Sequence, residues 1–502
     1  MNSRLAVCNL DLCFTPNQMS AFREISRDRN PLHVDPEYSR RTQFGRPVVY
    51  GVSGVLAVLG AWARGRWFEL GSVRAKFDKP LFVGELYTIQ ISEAGEKVEV
   101  KILKGNQIHT RMRFTWRECS SDQPSPIHSP GIFQPLSAAK EWDGKLDVLG
   151  KIKDPFPYEP DWNAAADFEK NFSLGASQFP YGQLSALLWS SYFVGMEIPG
   201  QQALFAELNF TFEPNKSSER DFELRNLKMA YDDRFNLVTA SGTGTGIHSF
   251  QISAFRRPKP VHYSLADIRS RVGESSEMLG KAVFISGASR GFGGVLARAF
   301  ALQGANLALN YRSSSLEAHE LEKEIRFLPV KVLPCLGDVS SEEDCKRMKD
   351  AFFLQFGRLD FLICNAFPKI EARQFLAQTP VEFLDFIQRA LAASSKLLHS
   401  FLPQMEPGAI VIHISTIFTV KPSEQFSHYV AAKSAVEGLL RVLALEFKSI
   451  RFVIVRPPRM LTDSTNLTYD LNKPVSAVDV AAKLLEALRE IMPGRNLFEV
   501  NL

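Results

Sequence analysis

With 502 residues, 45% of them hydrophobic and 23% charged, the chain is too long for one core and has the composition of a soluble protein of roughly two to four domains. A net charge of +4 is small for this length and excludes nucleic acid as the main partner. No apolar run approaches the roughly 20 residues of a membrane span, no signal peptide follows Asn2-Ser3-Arg4, and Cys8, Cys13, Cys119, Cys335, Cys345 and Cys364 show neither a CxxC pair nor metal-ligand spacing, so a cytoplasmic protein with reduced thiols, no metal and no membrane partner is expected.

The first dense feature is RDRNPLHVD, Arg27 to Asp35. Pro31 fixes its own φ and pushes Asn30 out of the helical region, which predicts a shaped loop that aims Asp28 and His33 rather than a helix. VVYGVSGVLAVLGAW, Val48 to Trp62, reads as a long apolar helix, and SVRAKFDKP, TIQI, KVEVKIL and HTRMRFTW after it alternate with the period of strands. A polar joint, Ser120 to Gly131, follows. The pattern then restarts: FPYGQLSALLWSSYF, Phe179 to Phe193, precedes FAELNFTFEP, DFELRNLKMAY and SFQISAF, so the helix-opening Tyr50-Gly51 recurs as Tyr181-Gly182. Such internal similarity predicts duplication. One apolar helix wrapped by a long antiparallel sheet is the hotdog arrangement, and two side by side make a double hotdog. A second joint, Arg256 to Ser264, ends this part. KAVFISGA, a helix from about Gly293, NLALNY, KVLPCLGD and LDFLICNA then alternate buried strands with helices, the pattern of a doubly wound parallel α/β sheet. The expected domains are 1–125 and 140–257, the two α+β hotdogs, and 277–502, a Rossmann-like sheet.

SGASRGFG, Ser286 to Gly293, lies at a strand-to-helix turn, with Gly287, Gly291 and Gly293 free to let a backbone approach a pyrophosphate at a helix N-terminus. Tyr429 precedes Lys433 by one helical turn in YVAAK, so the ammonium is placed to lower the phenol's pKa, and Ser415 and Thr416 lie one strand upstream. Together these residues resemble the short-chain dehydrogenase/reductase family from about Met278 onward, and 3-oxoacyl reductases within it. The resemblance implies that Tyr429 and Lys433 are catalytic, with Ser415 or Thr416 polarising the substrate carbonyl. It also implies cofactor contacts from Gly287, Ser289, Arg290, Gly291, Phe292, Gly293, Asp338, Val339, Asn365, Ala366, Tyr429, Lys433, Pro457 and Thr462. Three positions depart from the family pattern: Thr416, with Ser415 beside it, stands where 3-oxoacyl reductases carry the catalytic serine, Phe367 where the Asn-Ala-Gly turn has its glycine, and Ala390 where an asparagine supports the proton relay. No carboxylate follows the second strand at Asn310-Tyr311-Arg312, and Arg290 lies in the glycine turn, which favours NADPH over NADH.

Dehydrating a thioester requires one group for the α-proton, another for the hydroxyl, and N–H donors for the thioester oxygen. A carboxylate and an imidazole on one loop, beside the N-terminus of an apolar helix, meet those needs. The stretch from Phe22 to Gly51, with Asp28, Asn30, Pro31, His33, Asp35 and Phe44-Gly45-Arg46-Pro47, resembles the MaoC-like (R)-specific enoyl-thioester hydratases and dehydratases, although Tyr50 stands where relatives have histidine. By that resemblance Asp28 and His33 form the catalytic pair, Gly51 supplies the oxyanion N–H, and Asn30 orients the pair or positions water. The second unit has no such loop: NFSLGASQFPYG carries neither residue, and His248 is far downstream. One active site per double hotdog is expected. The two resemblances imply a ketoreductase and dehydratase acting on acyl carrier protein or CoA thioesters, and at least a dimer. The alternatives are hydration followed by NAD-linked oxidation, and a dehydratase whose reductase-like domain only docks.

Overall fold

The computed structural model describes residues 6–119, 138–144, 156–174, 179–214, 223–468, 473–490 and 495–502. The first proposed joint, Ser120 to Gly131, lies outside them. The chain forms two compact units, one holding Met1–Lys259 and the other Pro260–Asn466 and Leu471–Leu502.

In the first unit the strands are β1 (Ala6–Cys13), β2 (Phe68–Phe77), β3 (Leu86–Ala94), β4 (Lys97–Lys104), β5 (Gln107–Glu118), β6 (Phe156–Pro157), β7 (Ala203–Phe212), β8 (Glu223–Asp232), β9 (Leu237–Gly244) and β10 (Ile247–Arg256). They form one sheet in the order β1-β3-β4-β5-β2-β7-β10-β9-β8-β6. The order runs inward identically from both edges, the signature of a duplicated unit. The halves join through β2 and β7, antiparallel with Val73 opposite Phe210 and Ala75 opposite Leu208. Each half wraps one apolar helix, Gly51–Ala63 or Tyr181–Tyr192, and Val55, Leu56, Leu59, Leu187, Leu188 and Trp189 share one core with the sheet. A helix buried on every side has no polar face to show, which explains the unbroken apolar run.

The Arg27–Asp35 stretch departs from the expected loop. Pro31–Val34 and Pro36–Arg40 are short helical turns, each with proline at a first position, capped by the side chains of Asn30 and Asp35. Proline suits the first turn because the N–H it lacks would have no intrahelical partner. The second central helix also continues beyond its expected end, through a π-helical turn at Phe193–Glu197.

The second unit contains β11 (Ala282–Ile285), β12 (Asn306–Tyr311), β13 (Val332–Leu336), β14 (Phe361–Cys364), β15 (Ile410–Ile414), β16 (Arg451–Arg456) and β17 (Leu497–Asn501). All are parallel, in the order β13-β12-β11-β14-β15-β16-β17. Val283 and Ile285 pack on one face with helices Gly291–Leu302 and Ala477–Arg489, while Ala282 and Phe284 pack on the other with Glu342–Phe356 and Pro380–Phe401. The order in which strands are added switches between β11 and β14, and the crevice at the carboxyl ends of strands at such a switch is where open α/β sheets bind ligands.

Candidate active sites

In the first unit the chain leaves helix Pro16–Ser26 through Arg27, whose φ of 57° turns the backbone sharply and delivers Asp28 into the interior, 1% exposed. Four groups hold its carboxylate and backbone. Its own N–H donates to Ser26 Oγ at 3.2 Å. The N–H of Asn30 donates to Oδ1 at 3.1 Å, Ser191 Oγ donates to Oδ2 at 2.7 Å, and the Tyr50 hydroxyl donates to the Asp28 carbonyl at 2.8 Å. Burial nevertheless dominates and pushes the carboxyl up to about 7 against the Ser191 and Asn30 bonds.

His33 is fixed by its Nδ1, 2.6 Å from the Val48 carbonyl, which must accept, so Nδ1 carries the proton and Nε2 is left as the basic nitrogen. Burial lowers its pKa to about 4 against that bond, and the charge of Arg257 acts in the same direction. The Tyr50 ring stacks on the imidazole with centroids 4.0 Å apart. Tyr50 thus supports both members of the pair, one through its hydroxyl and one through its ring.

Asn30 is held on both sides of its amide, which suits an orienting role. Its Oδ1 accepts from Leu32 N–H, and its Nδ2 donates to the carbonyls of Gly195 and Gly200, both at 2.8 Å. It ties the catalytic stretch to the π-helical turn of the second half. That turn comes so close to Asp28 that a Cβ at Gly195 would collide with the carboxylate, so the position admits only glycine.

Asp28, His33 and Gly51 line one cavity of about 230 Å³, walled also by Phe77, Val194 and Phe205. No side chain caps helix Gly51–Ala63, so its first N–H groups keep their donors for whatever enters. A Cβ at Gly51 would lie 3.1 Å from the Phe77 ring, which leaves room for glycine at this entrance. The second half carries no acid–base pair of its own at this cavity, but Ser191, Gly195 and Gly200 make it part of the site.

In the second unit Gly287 and Gly291 have φ of 65° and 56°, and Gly293 packs so closely on the Gly287 carbonyl that no side chain fits. Asn310 braces the turn, accepting from Gly287 N–H at 3.1 Å, and Asn365 Nδ2 donates to the carbonyls of Ser286 and Gly287. This open backbone cradle at a helix N-terminus fits a dinucleotide pyrophosphate. Ser289 is half-buried beside it, whereas Phe292 is buried in the core and offers the cradle only its backbone. Arg312 pairs with Asp338 at 3.2 Å and Arg290 with Asp463 at 3.7 Å. Val339 is buried, and Ala366 packs against Gly287. Arg456 is buried between Glu437 and Glu499, and Pro457 and Thr462 follow it, with Thr462 Oγ1 bonded to Ser464 and Thr465.

Ser415 and Thr416 separate cleanly. Ser415 Oγ donates to Glu437 Oε1 at 2.5 Å, inside the Glu437–Arg456 network, while the Thr416 side chain is the group whose influence on the Tyr429 hydroxyl opposes its burial. The expected lowering of the Tyr429 pKa is not observed. Burial raises it to about 12, opposed by Thr416, and Lys433 is itself desolvated and brought down to about 7. The two residues do share a helix face, but Lys433 Nζ donates to the Ile414 carbonyl at 2.5 Å and faces the Phe367 ring, whose centroid is 3.8 Å away.

Residues 6–111 match the family model of the MaoC like domain, and residues 281–472 that of the short chain dehydrogenases. The chain joins a MaoC-like domain to a short-chain dehydrogenase domain. It is an enzyme with dehydratase and oxidoreductase modules. Its dehydrogenase part is similar to the 3-oxoacyl-[acyl-carrier-protein] reductase FabG of Staphylococcus epidermidis, 28% identical over 38% of this chain and 80% of that one. It is also similar to 3beta-hydroxysteroid dehydrogenase 1 of Eggerthella lenta, 28% identical over 37% of this chain and 73% of that one, and to a glucose 1-dehydrogenase of Gluconobacter oxydans, 29% identical over 36% and 70%. A solved short-chain dehydrogenase from Burkholderia cenocepacia in complex with NADP aligns with a TM-score of 0.41 at 23% identity, covering 45% of this chain and 98% of that one. Among the described residues no helix is long and apolar enough to cross a membrane.

Ser191, Gly195, Tyr50 and Arg257 were not anticipated as parts of the hydratase site. Tyr50 could have been found, because it precedes the helix start where relatives carry histidine. The others carry no local signal: Ser191 bonds to a residue 163 positions upstream.

Proposed function

We propose that the chain is a bifunctional enzyme that reduces a 3-oxoacyl thioester with NADPH and dehydrates the resulting (R)-3-hydroxyacyl thioester to the trans-2-enoyl product. The substrate is carried on acyl carrier protein or CoA, in the biosynthetic direction of fatty acid, polyketide or related metabolism. The observation that carries the reading is the Asp28–His33 pair facing one cavity beside the uncapped start of helix Gly51–Ala63.

Within that cavity His33 Nε2, neutral, takes the α-proton. The Gly51 N–H receives the charge that builds on the thioester oxygen. Asp28, held protonated up to near neutral pH by its burial, gives its proton to the departing hydroxyl, and the resulting carboxylate is met by Ser191 and the Asn30 N–H. In the second unit, Gly287, Gly291 and Gly293 with Asn365 would hold a nicotinamide dinucleotide, which supplies hydride when bound. Thr416 polarises the substrate carbonyl, and Tyr429, in contact with it, donates the proton. Arg290 and Arg312, with no acid after β12, favour a 2′-phosphate. The FabG of Staphylococcus epidermidis is named for the same reduction, which supports the substrate class.

The reading is tested by mass spectrometry of a 3-oxoacyl carrier substrate incubated with NADPH. The intact enzyme is expected to give the enoyl product, Asp28→Asn to stop at the hydroxyacyl stage, and Tyr429→Phe to leave the 3-oxo group untouched. A strong preference for NADH would instead support hydration followed by oxidation. No NADPH oxidation in a protein that still dehydrates would support a docking role for the second unit, a reading favoured by the aromatic cap on Lys433.

A further inference from the structure

Phe367 follows directly on Ala366, whose backbone lies 3.1 Å from where a Cβ on Gly287 would be. The ring lies with its centroid 3.8 Å from Lys433 Nζ and meets the Tyr429 ring edge-on at 5.5 Å. Behind it stand Phe386, edge-on at 5.9 Å, and the fully buried Ala390 and Ala432. The ring is itself half-buried, so it is a rim residue rather than a core one. Lys433, 3% exposed, has one hydrogen bond described, to the Ile414 carbonyl. A buried ammonium with one carbonyl partner gains from an aromatic face, and that gain is larger when both are out of water. A dinucleotide seated in the glycine turn has to place its reactive end beside Tyr429, the proton donor. Residues 365–367 touch both points: Asn365 and Ala366 lie against Gly287, and the Phe367 ring lies against Lys433 and Tyr429.

We propose that Phe367 is the residue that sets nucleotide affinity in the reductase unit, its ring covering the face of the Lys433 ammonium that a nucleotide reaches from the glycine turn, so that binding requires the ring to turn aside. The proposal rests on the reading of this unit as NADPH-binding. A plain packing role for Phe367 makes a different prediction. Packing on Phe386 and Ala390 is kept by leucine, whereas the aromatic face toward Lys433 is not.

The test is a fluorescence titration of the full chain with NADPH, using the wild type, Phe367→Leu and Phe367→Ala, each checked for folding by circular dichroism. The dissociation constant is expected to fall about thirtyfold in Phe367→Ala, the equilibrium worth of a desolvated cation–π contact, and by a smaller factor in Phe367→Leu. An unchanged or weaker affinity in folded Phe367→Ala overturns the proposal, as does an unchanged affinity in Phe367→Leu if the alanine variant does not fold. Absence of NADPH binding in all three overturns the nucleotide reading and this inference with it, whereas equal binding in all three overturns the inference alone.

Discussion

Both units bury an ionisable group next to their chemistry, and they compensate it by different means. Asp28 is met by directional donors: Ser191 Oγ, the Asn30 N–H and, through its backbone, the Tyr50 hydroxyl. Lys433 is met by one carbonyl and an aromatic face. The first arrangement leaves the carboxyl close to a neutral-pH titration and open to a cavity. The second covers the ammonium with a side chain that a ligand has to displace. Hydrogen-bond donors set a proton affinity while leaving the group accessible; a ring stabilises the charge at the expense of access.

The contrast is broken most severely if the two chemistries cannot be separated. Asp28→Asn is expected to slow dehydration about a thousandfold while leaving reduction intact, and Tyr429→Phe to do the reverse, since a positioned acid or base contributes on that scale. Coupled substrate assays with separate 3-oxo and 3-hydroxy thioesters would show it, and loss of both activities in either variant would overturn the assignment of one chemistry to each unit.

The next effect is on stability. An unfolded aspartate ionises near 3.8, whereas Asp28 holds its proton to about 7, so the native state binds the extra proton between those values and loses stability as pH rises through the interval. Above it the penalty is on the order of 4 kcal/mol. Asp28→Asn should therefore stabilise the first unit at pH 8 much more than at pH 5, read as a shift in its urea midpoint. A variant no more stable at pH 8 would mean that the carboxylate is better solvated than its burial indicates.

Thr416→Val is expected to lower reduction about a hundredfold, as loss of a carbonyl-polarising donor does. Ser415→Ala should leave turnover near the wild-type value and shift melting instead, because its hydroxyl serves Glu437. The reverse ranking in steady-state kinetics would return the role to Ser415. The smallest change is a pH shift. Dehydration needs His33 neutral and Asp28 protonated, so its rate should fall as pH drops toward about 4 and as pH rises past about 7. Ser191→Ala removes a donor to the ionised carboxylate and should move the upper limb to higher pH without moving the lower one.

What could be read from the sequence was what local pattern encodes. The strand and helix periods, the duplicated Tyr-Gly helix starts and the glycine turn all depend on residues close together in the chain, and so does the spacing of Asp28 from His33. The short turns at Pro31–Val34 and Pro36–Arg40 are written there too, as an Asn or Asp cap followed by proline, but a proline breaks a helix as readily as it starts one, and local sequence does not decide which. Two things were not legible. The π-helical turn at Phe193–Glu197 has no period of its own, so the approach of Gly195 to Asp28 could not be read. The electrostatics of Tyr429 failed because helical spacing places Lys433 on the same face but does not report how deeply it is buried or that Phe367 covers it.

The seam between β2 and β7 bears on how this protein can be divided. Those strands are mid-sheet only because each has the other beside it, so a gene cut between the repeats would yield two sheets, each with a long raw edge seeking a partner. The fragments would also part Asp28 and His33 from Ser191 and Gly195. Neither piece would hold a working site, and mixing them would restore activity only as far as the two edges find each other rather than copies of themselves.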